Sequence, residues 1–136
     1  MRYPLDELLD KRSIIQLKIE RIEDNKDRER LRKESGDYSQ AIEEFVGDRI
    51  CTQENILEWE KELYETNGKI WDLEANIRKG QIGDLSLEEI GRTAIRIREI
   101  NGVRVGIKSK IVKTIGQGYT DIKINHASER PSENFI

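Results

Sequence analysis

The strongest pattern of apolar and polar positions lies over residues 56–77. Ile56, Trp59, Leu63, Thr66, Ile70, Leu73 and Ile77 recur at steps of three and four, a helical period, with Leu57, Tyr64 and Trp71 beside them at steps of seven. Glu54, Glu58, Lys61, Glu62, Glu65, Lys69 and Asp72 occupy most of the remaining surface. The run predicts an amphipathic helix with a broad apolar face that carries both tryptophans and much of the burial energy.

A second stripe opens the chain: Leu5, Leu8, Leu9, Ile15, Ile19 and Ile22, flanked by Ile14 and Leu17. Pro4 suits a first helical turn, and Asp6 and Glu7 suit the positive end of the helix dipole. The apolar signal stops at Ile22, but the charged run over 23–34 is rich in helix formers and carries the prediction to about residue 33. Ser35-Gly36-Asp37 reads as a turn. Ile42, Phe45, Val46 and Ile50 resume the helical period, so a second helix is expected over about 39–79, with Gly47-Asp48 as a kink. At about 1.5 Å per residue it would approach 60 Å.

Glycines at 80 and 83 break the pattern. Ser86 and Glu89 then have capping-box spacing and start a third helix over about 87–115. Ile90, Ala94, Ile97, Ile100, Ile107, Ile111 and Ile115 form its apolar side, and Gly91, Gly102 and Gly106 permit close backbone approach. Gly116-Gln117-Gly118 ends it, and Tyr119, Ile122 and Ile124 suggest a short extended piece in a polar tail over 117–136.

The expected fold is therefore all-α: three long helices in an antiparallel hairpin or bundle over 1–116, centred on the second, with the tail docked on a neighbouring subunit. A second helix of that length outruns a three-helix monomer, so self-association is expected, with a dimer as the simplest symmetric form.

Composition supports this picture. In 136 residues, charged side chains reach 38% and hydrophobic ones only 35%, a balance typical of long helices. The net charge of −3 lacks the basic excess of a general nucleic-acid binder. Residues 37–79 hold eleven acids against five bases, whereas 87–115 hold seven bases against three acids, which favours pairing the second and third helices. No apolar run is long enough to span a bilayer, and the first residues lack the apolar core of a signal peptide, so no membrane partner and a cytoplasmic setting are expected. Cys51, the single cysteine, has no cysteine to pair with, and the single histidine, His126, is distant; the thiol reads as idle.

Some polar residues interrupt the apolar faces. Lys11 and Lys18 sit beside the first stripe; Asn67, Glu74 and Arg78 flank the second; Asn101, Arg104 and Lys108 interrupt the third. Antiparallel packing would bring several together. As a binding site, Lys11, Lys18, Arg104 and Lys108 would face a phosphate or carboxylate, with Asn67 and Asn101 as orienting donors and arginine gripping bidentately. As structure, the same residues would form a buried network that fixes helix register, with Glu74 as the partner of Arg104, or would simply extend to water.

Three blocks also resemble a family. Glu7-Leu8-Leu9-Asp10-Lys11, continuing through Ile15, Leu17, Lys18, Glu20, Arg21 and Ile22, is similar to the N-terminus of an uncharacterised family of short bacterial helical proteins. Asn67 to Arg78 resembles its N-x-x-L-W-x-x-E-D-x-I-R segment, with Ile70 for the leucine and Ala75 where an acid is common. Asn101, Arg104 and Lys108 match its N-D-x-R-x-x-[IL]-K block, with Gly102 in place of the acid. The resemblance spans about three-fifths of the chain, missing the region around 36–52 and the tail. It implies an all-α fold and supplies no activity, and the missing acids at Ala75 and Gly102 weaken any metal-site reading.

Enzyme motifs are sparse. Glu43-Glu44 and Glu88-Glu89 lack the facing partners of a di-metal helical hydrolase. The seam has the residue types of a small helical mutase, with nothing to fix their geometry. Gly116-Gln117-Gly118 follows a helix and is too short for a phosphate loop, and no His/Cys cluster suggests zinc. No cofactor or metal is implied. The expected function is a non-catalytic helical oligomer for interaction or assembly; the alternative is an anion binder, or a small all-α enzyme, working through the polar seam.

Overall fold

The computed structural model describes residues 3–81, 83 and 85–116. Within them the chain forms four α-helices in the order α1 (Leu5–Arg21), α2 (Asn25–Gly47), α3 (Gln53–Gln81) and α4 (Leu87–Gly116). Among the described residues there is no strand. The expected tail over 117–136 lies outside them.

The all-α expectation holds, but four helices replace three because two chain breaks fall elsewhere than expected. The first helix ends where its apolar stripe ends: Ile22 is extended, and Asp24 caps α2 by accepting from the N–H groups of Lys26 and Asp27 at 2.8 and 3.2 Å. The Arg28 guanidinium donates to the free Ile22 carbonyl at 2.6 Å. Helix α2 then runs straight through Ser35-Gly36-Asp37. Gly36 lies on an exposed helical surface, where the lack of a side chain costs only about 1 kcal/mol.

The second break is at Gly47, which ends α2 instead of kinking a longer helix. Arg49 sits in the left-handed region at φ 61°. The Ile50 N–H reaches back to the Phe45 carbonyl at 2.9 Å, the long closing bond of a Schellman motif. Helix α3 begins with a reciprocal cap: the Asn55 N–H donates to Thr52 Oγ1, and the Thr52 N–H to Asn55 Oδ1, both at 3.0 Å. The expected box at α4 forms in the same way, with the Glu89 N–H on Ser86 Oγ and the Ser86 N–H on Glu89 Oε1, both at 3.1 Å.

The hub is α1, not the helix that holds the 56–77 run. It packs against each of the other three, whereas α2 packs mainly on α1, and α3 pairs most extensively with α4. Accordingly α1 buries Leu5, Leu8, Leu9, Asp10, Ser13, Ile15 and Leu17, positions that cover well over half its circumference. Together with Ile42 and Phe45, Ile56, Trp59 and Leu63, and Ile111, Leu5, Leu8 and Leu9 of α1 make one apolar cluster at the base of the bundle. Burying each such side chain contributes about 1.5–3 kcal/mol.

The core thins along α3 and α4. Leu17 packs near Gly68, and Arg21 at the end of α1 lies over the Trp71 ring at 5.5 Å and donates to Asp72 at 2.6 Å. Past that point α3 and α4 continue as a two-helix arm. Ile56, Trp59 and Leu63 are buried as expected, but Ile70, Trp71 and Leu73 are only half-buried, because a single neighbouring helix covers one side of a stripe.

Candidate functional site

The polar seam converges on a residue that the sequence reading did not single out. Asp10 projects from the buried face of α1, and its carboxylate side chain is 2% exposed. Three helices supply its neighbours. From α4, Arg104 donates Nε to Asp10 Oδ1 at 3.0 Å and Nη2 to Oδ2, a bidentate grip. From α3, Asn67 donates to Oδ1 at 2.9 Å and to Ser13 Oγ at 3.0 Å, while Ser13 donates to the Asp10 carbonyl. Lys108, one turn on from Arg104, reaches Glu7 at 3.1 Å and stands 3.9 Å from Asp10. Arg104 Nη1 also meets Asn101 Oδ1 at 3.2 Å.

The electrostatics follow from these contacts. Burial alone would raise the Asp10 carboxyl, but the hydrogen bonds from Arg104 and Asn67 and the charges of Arg104 and Lys108 outweigh it and hold the group below the ordinary aspartate value of 3.8. The same bond from Asp10 raises the Arg104 guanidinium, which stays charged. One turn earlier, buried Asp6 is pushed above 3.8, first by desolvation and then by the neighbouring charge of Glu7. An aspartate held ionised, with both oxygens engaged, is a structural anchor and a poor proton-transfer group at neutral pH.

A second polar cluster joins α1, α2 and α3. Arg12 grips Glu60 through two bonds, one of 2.6 Å, and donates to Ser39 at 2.9 Å. It lines an open groove of about 450 Å³ together with Gln16, Ser35, Lys61 and Tyr64. The groove exists because α2 and α3 both lean on α1 without packing extensively on each other.

Of the eight seam residues expected, the structure brings together Asn67, Asn101, Arg104 and Lys108. Lys11 and Lys18 are exposed on the uncovered side of α1, and Glu74 and Arg78 are exposed on the arm. The expected Glu74–Arg104 pair is corrected: the carboxylate on Arg104 is Asp10, because α4 turns that face toward α1. Arg104 and Lys108 thus face internal carboxylates at the place where an external anion was envisaged. Asp10 was hidden in sequence because it follows two leucines and precedes Lys11. Its signal was the run of Asp6, Asp10 and Ser13 at steps of four and three, which marks a polar line within a buried face. Arg12, Ser39 and Glu60 carry no such signal.

The idle reading of Cys51 fits its surroundings: it is half-buried against the core, and desolvation pushes its thiol up, away from the reactive thiolate. Among the described residues, no group of three His, Cys, Asp or Glu side chains is placed to hold a metal ion, and no helix is long and apolar enough to cross a membrane. Compared with protein-family models, curated proteins and solved structures, the chain matches none.

Proposed function

We propose that this chain is a non-catalytic assembly component, a helical protein that works by binding other polypeptides, copies of itself first. The observation that carries this reading is the arm. It leaves the isoleucines and leucines of α3 and α4 half-covered, and α4 also exposes Leu87, Ile95, Val103, Val105 and Val112. Large apolar side chains gathered along one helix are typical of contact surfaces. The seam around Asp10 fits the same reading, as a register lock that fixes α3 and α4 on α1 and so holds the arm at one angle to the base.

Light scattering across a concentration series tests the proposal. The expected mass rises from one chain toward two as concentration increases through the micromolar range. A monomer mass at high micromolar concentration would end the self-association reading.

A further inference from the structure

We propose that α4 pairs with α4 of a second copy, antiparallel across a two-fold axis that passes close to Gly102. The inference deepens the self-association reading and rests on it. Helix α4 has two unlike faces. One packs inward through Ile100 and Ile111 and sends Arg104 and Lys108 to α1. The other follows positions 87, 91, 94, 98, 102, 105, 109 and 112, which succeed one another at steps of three and four and so share one side of the helix.

That outer side is unusual in a chain that is 38% charged. Arg98 is its single charge, and the rest are leucine, valine, alanine, serine and glycine. All eight positions are exposed, Leu87 to 87% and Val105 and Val112 to 48% each. A Cβ built on Gly91, Gly102 or Gly106 would meet nothing within 4 Å. Nothing inside the described molecule therefore requires glycine there, and each costs helix stability of about 1 kcal/mol. A flat surface on which another backbone can approach closely accounts for them.

Two features select a second α4, running the other way, as the occupant. The first is charge: Glu88 and Glu89 lie in the first turn, where Glu88 also bridges Arg92 at 2.6 Å, and Lys113 lies in the last. An antiparallel pair sets acid against base at both ends, and a two-fold axis brings like edges together, which places Glu88 opposite the partner's Lys113. The second is size. Gly102 lies at the midpoint of Leu87–Gly116. Reversal about that midpoint sets Leu87 against glycine at 116, Gly91 against Val112, Ala94 against Ser109 and Arg98 against Val105, so a large residue meets a small one at the two outer levels and two small ones meet at the third.

Light scattering and sedimentation on the full chain and on two sets of variants test the pairing. Gly102→Glu puts two carboxylates face to face at the axis, and since its Cβ enters open space the helix content and melting of the monomer should hold. The expected dimer dissociation constant rises at least about tenfold, the effect of like charges set together at an interface. Glu88→Lys and Lys113→Glu should each weaken the dimer, and the double swap should restore it to within about twofold, because only antiparallel pairing joins these positions. If the wild type dimerises and Gly102→Glu does so equally well, the pairing face is overturned while self-association stands. If the double swap stays as weak as the singles, the antiparallel register is overturned. If the wild type is monomeric throughout, self-association itself fails and the face belongs to a different protein.

Discussion

The base of the bundle and the arm are built from the same two stripes and end in different states. Along α3, Ile56, Trp59 and Leu63 are 0–4% exposed, while Ile70, Leu73 and Ile77 further along the same face are half-buried. Along α4, Ile111 is fully buried, while Ile97 and Ile90 are not. The side chains are equivalent, and the number of neighbouring helices differs. Helix α1 ends at Arg21 and α2 leads back toward the base, so the arm has one layer where the base has a closed core. A helical period reports which side of a helix is apolar; how deeply that side is buried depends on what the topology lays against it.

The sharpest way to break this comparison is at its junction. Arg104→Ala would leave the Asp10 carboxylate buried and short of its main partner, at an expected cost of about 3–5 kcal/mol by urea denaturation. A cost under about 1 kcal/mol would show that the seam does not lock the arm to the base. Next, Leu63→Ala in the base should cost about 2–5 kcal/mol, and Leu73→Ala in the arm less than half as much, measured below the dissociation constant of any dimer. Equal losses would erase the distinction between the two regions.

The carboxylates at the base refine it through pH. Asp10 has a folded value below 3.8, so its contribution is complete above 3.8 and is lost as pH falls through the lower folded value. Comparing wild type with Asp10→Asn between pH 7 and pH 2 should show the gap in stability narrowing only in acid. Asp6 has the opposite sign. Its folded value lies above 3.8, so its contribution is present below 3.8 and declines as pH rises, which leaves ionised Asp6 a cost at neutral pH. Asp6→Asn should therefore raise the urea midpoint slightly at pH 7 and leave it unchanged at pH 3, the smallest of these effects. A lowered midpoint at pH 7 would mean that the ionised carboxylate is favoured where it sits.

How much was legible in sequence depended on how local the cause was. The start of α4 was read correctly, because Ser86 and Glu89 bond each other within one turn. The start of α2 was missed, because Asp24 is one acid among many in a charged run, and nothing in the pattern marks it as the cap. Gly36 looks like a turn in sequence and Gly47 like a kink, since a glycine alone does not reveal whether its neighbours leave the helix; the left-handed Arg49 decides that. In the seam, the cations on α4 were visible as interruptions of an apolar stripe. Their partner was not, because the buried arc of α1 is wide enough to take in Asp10 only when three other helices surround it.

That central position of α1 has a consequence for how the chain reaches its fold. During synthesis α1 leaves the ribosome before the helices that surround it, yet Arg104, which neutralises Asp10, lies 94 positions later. Until α4 has emerged, α1 can associate with α2 through a short connection, but its acidic side stays open to water and its leucines lack Ile111. Closing so long a loop is entropically costly and slow compared with forming a helical hairpin. Loop-closure entropy therefore favours the α1–α2 and α3–α4 hairpins as the first units to form, with docking of the seam as the step that joins them.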